Sequence, residues 1–325
     1  MDRRMAVLLG AACASLLALS QQSRASTPAP VPDHLRTPIQ AVAVSPYDQI
    51  LAGTFGSGVF TSFDGGRSWG AMNNDLSNKN VFAIAVKSRD AIFAGTFGGG
   101  VYRSADGRGA RWLQVNSGLD YTEVMCLEVD SDGGLYAGTS SGQVYYSRDD
   151  GENWTMVGDV GEFVNTIAVD NTGNIYAGTM HGIYRSDDRG KTWTRNGSGL
   201  SCKDVWSLTV NNNGHVFAAT NGGGVFRSAD KGVNWVQVNS GLASKNVGSV
   251  AICPNGNVFV GTTAGVFVSY NDGETWSNFV NDASGGAVRC LTIGLDGQLL
   301  VGTYWVDIFD TDPVQPLPEE VEDGE

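Results

Sequence analysis

The sequence of 325 residues has few of the side chains that build metal centres. It holds three histidines and five cysteines, and none of them share the spacing of zinc ligands. Segments with the 3.6-residue period of an amphipathic helix are also few, so no glycine-rich, phosphate-cradling loop precedes a helix. From these absences we expect no metal ion and no other cofactor.

Positive charge is scarce as well. Lysine and arginine number 21 against 34 acidic residues, which gives a formal net charge of −13 at pH 7. A protein with this balance repels nucleic acid and anionic membrane surfaces. The longest apolar run, Met5 to Leu19, is too short to span a bilayer. We therefore expect no nucleic-acid partner, no membrane insertion and a monomeric protein.

The two ends of the chain differ in composition from the rest. Residues 1–25 combine a basic start, the apolar run and a small-residue cleavage site, which is typical of a secretory signal peptide. Residues 311–325 are rich in proline and acid, which predicts a disordered tail. The folded body is expected over residues 26–310, and the mature protein is expected to be secreted or periplasmic.

Export would permit disulfides, but the positions of the cysteines that remain after cleavage assign no pairing. Two of them occupy the same column of distant repeats. The four are Cys126, Cys202, Cys253 and Cys290.

A block of roughly forty residues recurs along the chain. Six copies carry a turn of the form Ser-x-(Asp/Asn)-x-Gly-x-x-Trp, one of them with an extra residue. A fixed period in this range indicates stacked supersecondary units. The turns are Ser62–Trp69, Ser104–Trp112, Ser147–Trp154, Ser186–Trp193, Ser228–Trp235 and Ser269–Trp276.

Each repeat has four strand-like parts separated by Gly, Asn and Asp turns. The first part occurs seven times, at spacings of 40 to 43 residues. The sequence therefore predicts an all-β fold, a seven-bladed β-propeller. The seventh copy has no Ser-x-Asp turn, so we expect residues 26–32 to supply its fourth strand. The first parts are Ile39–Val44, Val81–Val86, Val124–Val129, Val164–Val169, Val205–Val210, Val247–Ile252 and Val288–Ile293.

Two columns of the first strand are regular. The fourth position is aliphatic in every copy, which predicts packing between blades. The third position is small in every copy, which we attribute to crowding around the axis. Its residues are Ala41, Ala83, Cys126, Thr166, Ser207, Ser249 and Cys290.

The repeated turn resembles the Asp-box of the BNR-type propellers, over about residues 39–310. That family includes sialidases, xyloglucanases, sortilin-type receptors and photosystem II assembly factors. The resemblance implies that the box joins the third and fourth strands of a blade, but its members differ in function. Sialidases need three arginines that converge near a tyrosine nucleophile, and here only Arg289 lies on an inner strand near the mouth. Xyloglucanases hold their carboxylates between two propellers, and this chain has one.

The columns that vary between repeats at one face of the ring, the mouth, are the candidate ligand-binding positions. Neighbouring repeats place aromatic residues there, which are typical of sugar-stacking or protein-binding surfaces. The alternative is that Phe55 and Phe97 pack onto adjacent loops. Arg289 is the expected polar anchor. The predicted binding residues are Phe55, Phe97, Tyr304 and Trp305 as a contiguous arc, with Phe82 extending the arc inward and Trp206 and Arg289 also at the mouth.

Carboxylates cluster on the opposite side of the mouth. Glu123, Glu162 and Asp204 come from the entry loops of three successive repeats, and His181 lies nearby. Two carboxylates and a histidine could act as acid and base, or they are solvated loop charges.

The function expected from these observations is an exported, non-catalytic binding propeller that recognises a glycan or an exported protein. A polysaccharide-active hydrolase or lyase is one alternative, and a scaffold for an exported complex is another. No catalytic residue is assigned, and the question of enzymatic activity stays open.

Overall fold

The computed structural model describes residues 37–46, 49–88, 91–104, 106, 111–280, 286–294 and 297–303, and the backbone of 308–310. The predicted signal peptide (1–25), fourth strand (26–32) and tail (311–325) lie outside these residues. Across the described ranges every regular element is a β-strand. No helix there is long and apolar enough to cross a membrane.

The repeats appear as groups of strands in chain order. The first strands are β1 (Ile39–Val44), β5 (Val81–Ser88), β9 (Val124–Val129), β13 (Val164–Val169), β17 (Val205–Val210), β21 (Val247–Ile252) and β25 (Val288–Ile293). The second strands are β2 (Ile50–Thr54), β6 (Ala91–Thr96), β10 (Leu135–Thr139), β14 (Ile175–Thr179), β18 (Val216–Thr220), β22 (Val258–Thr262) and β26 (Leu299–Thr303).

The outer strands are shorter on average. The third strands are β3 (Gly58–Ser62), β7 (Gly100–Ser104), β11 (Gln143–Ser147), β15 (Gly182–Ser186), β19 (Gly224–Ser228), β23 (Gly265–Ser269) and β27 (Ile308–Asp310). The fourth strands are β4 (Gly70–Ala71), β8 (Trp112–Gln114), β12 (Thr155–Asp159), β16 (Thr194–Asn196), β20 (Val236–Gln237) and β24 (Ser277–Val280).

Consecutive strands pair antiparallel and form six four-stranded blades, numbered one to six along the chain. Strands β25, β26 and β27 form a three-stranded sheet, called here the closing sheet. The first strands contact one another in chain order, and β25 also contacts β1, which closes the ring. The β-propeller prediction is confirmed, but the prediction of seven blades is wrong: the described residues form six four-stranded blades, and the closing sheet lies between blade six and blade one.

The last repeat differs from the others in sequence. The residues that follow β27 contain no Ser-x-Asp-x-Gly-x-x-Trp turn, and residues 26–32, which were expected to supply the fourth strand, lie outside the described residues.

The Asp-boxes join third to fourth strands, as predicted. In blade one the Ser62 hydroxyl donates to Asp64 Oδ1 (2.8 Å) and accepts the Gly66 N–H (2.9 Å), while Asp64 accepts the Ser68 N–H (2.8 Å). These hydrogen bonds lower the pKa of Asp64 to about 2, the Ser68 hydroxyl contributing most. The hydrogen bonds of the Asp-box carboxylates therefore hold the conformation of the turn.

Two consecutive residues of each described box have positive φ. One of them is the glycine of the box, and in blade one Gly66 has a φ of 82°. The other is the residue before it, which among the described boxes is glycine only in blade one. In the other boxes the equivalent residues are Asp150 (58°), Arg189 (62°), Lys231 (57°) and Asp272 (59°).

Neighbouring blades pack through a glycine column on the second strand. A Cβ at Gly53 would lie 2.7 Å from Val81 Cγ1 and 3.3 Å from Ile84 Cδ1 of blade two. The aliphatic fourth position therefore packs between blades, as predicted. The small third position pairs with this same column, for example Ala41 with Gly53, so blade packing as well as crowding at the axis keeps it small.

Candidate functional site

Residues at the mouth are positioned by hydrogen bonds within their own blade and by β-bridges to the entry loop of the next blade. Phe55 follows β2, and its N–H donates to the Pro38 carbonyl (3.2 Å). It also forms an isolated β-bridge with Asn80, in the entry loop of blade two. The equivalent Phe97 donates its N–H to the Asn80 carbonyl (2.9 Å), and the Asn78 amide donates to the Phe97 carbonyl (3.0 Å). The two phenylalanines therefore stand on backbone that is fixed from both sides.

Three aromatic rings meet at this point and form what is called here the aromatic cluster, Phe55, Phe82 and Phe97. The Phe55 and Phe82 rings meet edge to face with centroids 5.9 Å apart, and Phe82 and Phe97 are tilted at 5.8 Å. Both separations are favourable for aromatic pairs. Phe82 and Phe97 are half-buried, while Phe55 is 48% exposed. Mutual packing thus holds the cluster in place and still leaves a ring open to solvent.

The other predicted binding residues are less tightly grouped. Tyr304 and Trp305 lie outside the described residues. Trp206 is 42% exposed on blade five, and its indole N–H donates to Asp204 Oδ1 (3.0 Å). Arg289 is half-buried on β25. The structure therefore unites three of the seven predicted residues.

The acidic side chains are each held within their own blade. Glu123 accepts a hydrogen bond from the Ser140 hydroxyl in blade three. Glu162 accepts one from the Thr179 hydroxyl (3.0 Å), and its Oε2 lies 3.4 Å from His181 Nδ1 in blade four. Among the described residues no hydrogen bond joins two carboxylates of the set.

The third acid of the set shows the same arrangement. Asp204 accepts hydrogen bonds from Trp206 and from the Asn221 amide (3.0 Å), both in blade five. Its carboxylate therefore orients neighbouring mouth side chains.

The structure also identifies a residue that the sequence analysis missed. Glu128 of β9 lines a cavity of about 310 Å³ at the other end of the ring from the aromatic cluster. Burial raises the pKa of Glu128 to about 8, and Asp130 adds repulsion. The sequence does distinguish this residue, since the equivalent residues in all other copies of the repeat are alanine or threonine.

Neither cysteines nor acids build a metal centre in the part of the chain described. No group of three or more His, Cys, Asp or Glu there could hold an ion. Cys126, Cys202, Cys253 and Cys290 are all free thiols. Burial raises the pKa of Cys126 to about 12, which makes it a poor nucleophile.

Comparison with protein families matches the BNR/Asp-box repeat at residues 145–156 and 184–195, the boxes of blades three and four. No curated protein matches the sequence significantly.

Solved structures with the same fold differ in function. The extracellular domain of the one-component system BT4673 from B. thetaiotaomicron is 18% identical with a TM-score of 0.68, over 83% of this chain and 37% of that one. YCF48 bound to D1 peptide is 15% identical with a TM-score of 0.69, over 83% and 90%. A GH74 enzyme from Niastella koreensis is 17% identical with a TM-score of 0.63, over 84% and 42%.

The chain thus spans less than half of the BT4673 domain and of the GH74 enzyme, and at these identities the likeness establishes the fold alone. Sequence motif and architecture agree: the protein is a β-propeller that carries BNR/Asp-box repeats.

Proposed function

We propose that the protein is an exported, non-catalytic binding propeller that recognises a glycan or an exported protein at the mouth. The observation that supports this most strongly is the aromatic cluster. Its rings are fixed by each other and by backbone bonds from two blades, so little conformational entropy is lost when a ligand stacks on Phe55. The expectation of export depends on residues 1–25.

The carboxylates of the mouth support binding better than catalysis. A general acid or base has to reach the proton that it transfers. Glu123, Glu162 and Asp204 instead accept hydrogen bonds from side chains of their own blades, which gives them a role in shaping the loops.

A panel of immobilised polysaccharides and glycans tests this function, scored for both retention and cleavage. We expect retention without release of reducing ends. The matched variant is Phe55→Ala with Phe97→Ala, which removes two of the rings and leaves the Asp-boxes untouched. Cleavage of any member would contradict the non-catalytic function. If no glycan is retained, the same variant is compared with wild type on immobilised secreted proteins.

A further inference from the structure

The cavity beside Glu128 is separate from the mouth. The mouth residues lie at the second position of the first strands or directly after the second strands, whereas the cavity is lined by positions four to six of β1, β5, β9 and β25. Its volume of about 310 Å³ is at the lower end of the range for small-molecule sites. The lining residues are Val42, Ala43, Val44, Ile84, Ala85, Val86, Leu127, Glu128, Val129, Thr292 and Ile293.

Glu128 is the one charged side chain in this lining, and it departs from the repeat. The fifth position of the first strand is otherwise small and uncharged. Six copies have alanine or threonine at this position and one copy has glutamate. This difference indicates that Glu128 has a role other than maintaining the fold. The column reads Ala43, Ala85, Glu128, Ala168, Thr209, Ala251 and Thr292.

Within the described residues the Glu128 carboxylate has no hydrogen bond and no ion pair. The lining residues of β1, β5 and β25 carry no charge. Lys87, the next residue along β5, is already paired with Asp150 at 2.6 Å, and Asp130 repels rather than neutralises. A half-buried carboxylate that faces a cavity without a partner is costly to the fold, so among the described residues the site lacks a positive charge.

We propose that this cavity binds a small monovalent organic cation, a primary alkylammonium ion, with Glu128 as its counter-charge. One carboxylate balances one charge, whereas a divalent metal needs several oxygen ligands. The inner edges of the first strands are unpaired in their sheets, so their carbonyl groups can accept the remaining ammonium hydrogens.

The test is calorimetric titration of the purified protein with n-hexylammonium at about pH 9, where Glu128 is ionised and the amine still carries its proton. Hexanol and hexanoate serve as neutral and anionic probes of the same length. Glu128→Gln removes the charge at constant shape, and Glu128→Thr restores the residue found in two other copies. Asp132→Asn is the matched control, because Asp132 is an exposed acid in the turn that follows β9.

We expect hexylammonium to bind wild type and Asp132→Asn equally, and to bind both Glu128 variants at least tenfold more weakly. We expect hexanol and hexanoate to bind much more weakly than the cation. The proposal is overturned if wild type does not bind hexylammonium, if hexanol binds as tightly, or if Glu128→Gln retains full affinity. Circular dichroism of each variant confirms that a loss of binding is not a loss of folding.

Discussion

Two arcs of the ring join their blades in different ways. In the first arc, blades one to three, indole groups cross the junctions near the rim. Trp112 donates to the Met72 carbonyl of blade one (2.7 Å), and Trp154 donates to the Val115 carbonyl of blade two (2.8 Å). The third positions of these first strands are Ala41, Ala83 and Cys126, which have no hydroxyl.

In the second arc, blades four to six, hydroxyl groups near the axis cross the junctions. Thr166 accepts the Leu208 N–H of the next blade (3.3 Å). Ser249 accepts the Leu291 N–H of the closing sheet (3.0 Å), and an equivalent bond links blades five and six (3.3 Å). The indoles of Trp193 and Trp235 instead donate within their own turns.

Among the described residues only the junction of blades five and six has both kinds of hydrogen bond, since the Trp276 indole also donates to the Val238 carbonyl (2.8 Å). The comparison shows that the Asp-box fixes the hairpin of a blade but leaves its junction free to vary. The mouth also varies around the ring: the aromatic cluster lies on blades one and two, whereas the carboxylates Glu123, Glu162 and Asp204 lie on blades three to five.

The largest effect is expected at a rim indole. Trp154→Ala removes a buried ring together with a bond to the next blade, and we expect it to lower the free energy of unfolding by about 3–5 kcal/mol. Trp193→Ala should cost clearly less, because that ring is partly exposed and its N–H bond stays within one turn. Urea unfolding of both variants measures this. Equal losses would contradict a special role of the indole at first-arc junctions.

The next effect concerns how the free energy of unfolding depends on pH through Glu128, the one charged residue at the fifth position of the first strands. The pKa of Glu128 is raised from 4.5 to about 8 in the fold, so its protonated form stabilises the fold at low pH. That contribution is lost as pH rises from about 5 to about 8. Relative to Glu128→Gln, wild type should lose at most about 5 kcal/mol across this window, because one pKa unit corresponds to about 1.4 kcal/mol.

Other titrating groups cancel in this difference between the two proteins. Thermal unfolding at several pH values measures it, and parallel pH profiles would show that Glu128 is as well solvated as a surface acid.

A smaller loss is expected at the axis of the second arc. Ser249→Ala leaves the Leu291 N–H without its partner, and we expect a cost of about 1 kcal/mol in the free energy of unfolding. Cys126→Ala in the first arc removes no hydroxyl link and serves as the comparison. If Ser249→Ala proved neutral in urea unfolding, channel water would replace the hydroxyl at no cost.

The smallest effect is a gain. Ala41→Ser places a hydroxyl in the first arc where the second arc has one, within reach of the Ile84 N–H by analogy with Thr166 and Leu208. We expect an increase of about 0.5 kcal/mol, measured as a rise in the urea midpoint. A decrease would indicate that the first arc has no room for the added oxygen.

Much of the fold could be predicted because it repeats. Seven aligned copies identified the first strands, and the box identified the hairpins. The number of blades was wrong because it was assigned from the first strand of each copy. The copy that starts at Val288 has no turn after its third strand, so its fourth strand was expected from residues 26–32, which lie outside the described residues.

The candidate site was harder to predict, since its contacts are made between repeats. Aligned columns placed Phe55, Phe82 and Phe97 on one face, and the structure shows that the Phe82 ring contacts both of the others. The hydroxyl residues at the blade junctions were interpreted only as small side chains. A position that varies among Ala, Cys, Thr and Ser does not indicate a hydrogen bond to the next blade. Glu128 was visible in its column but was overlooked among the framework residues.

The affinity of the mouth for its ligand tests the central claim most directly. The measurement is the Kd of the best-retained glycan or secreted protein for wild type and two double variants, by calorimetry at two salt concentrations. Stacking on a ring contributes about 1–3 kcal/mol and persists in salt, whereas exposed carboxylates contribute little. Phe55→Ala with Phe97→Ala should therefore weaken binding by a factor of at least about ten, while Glu123→Gln with Glu162→Gln changes it little. The opposite ranking would place the site at the carboxylates of blades three and four and contradict the account.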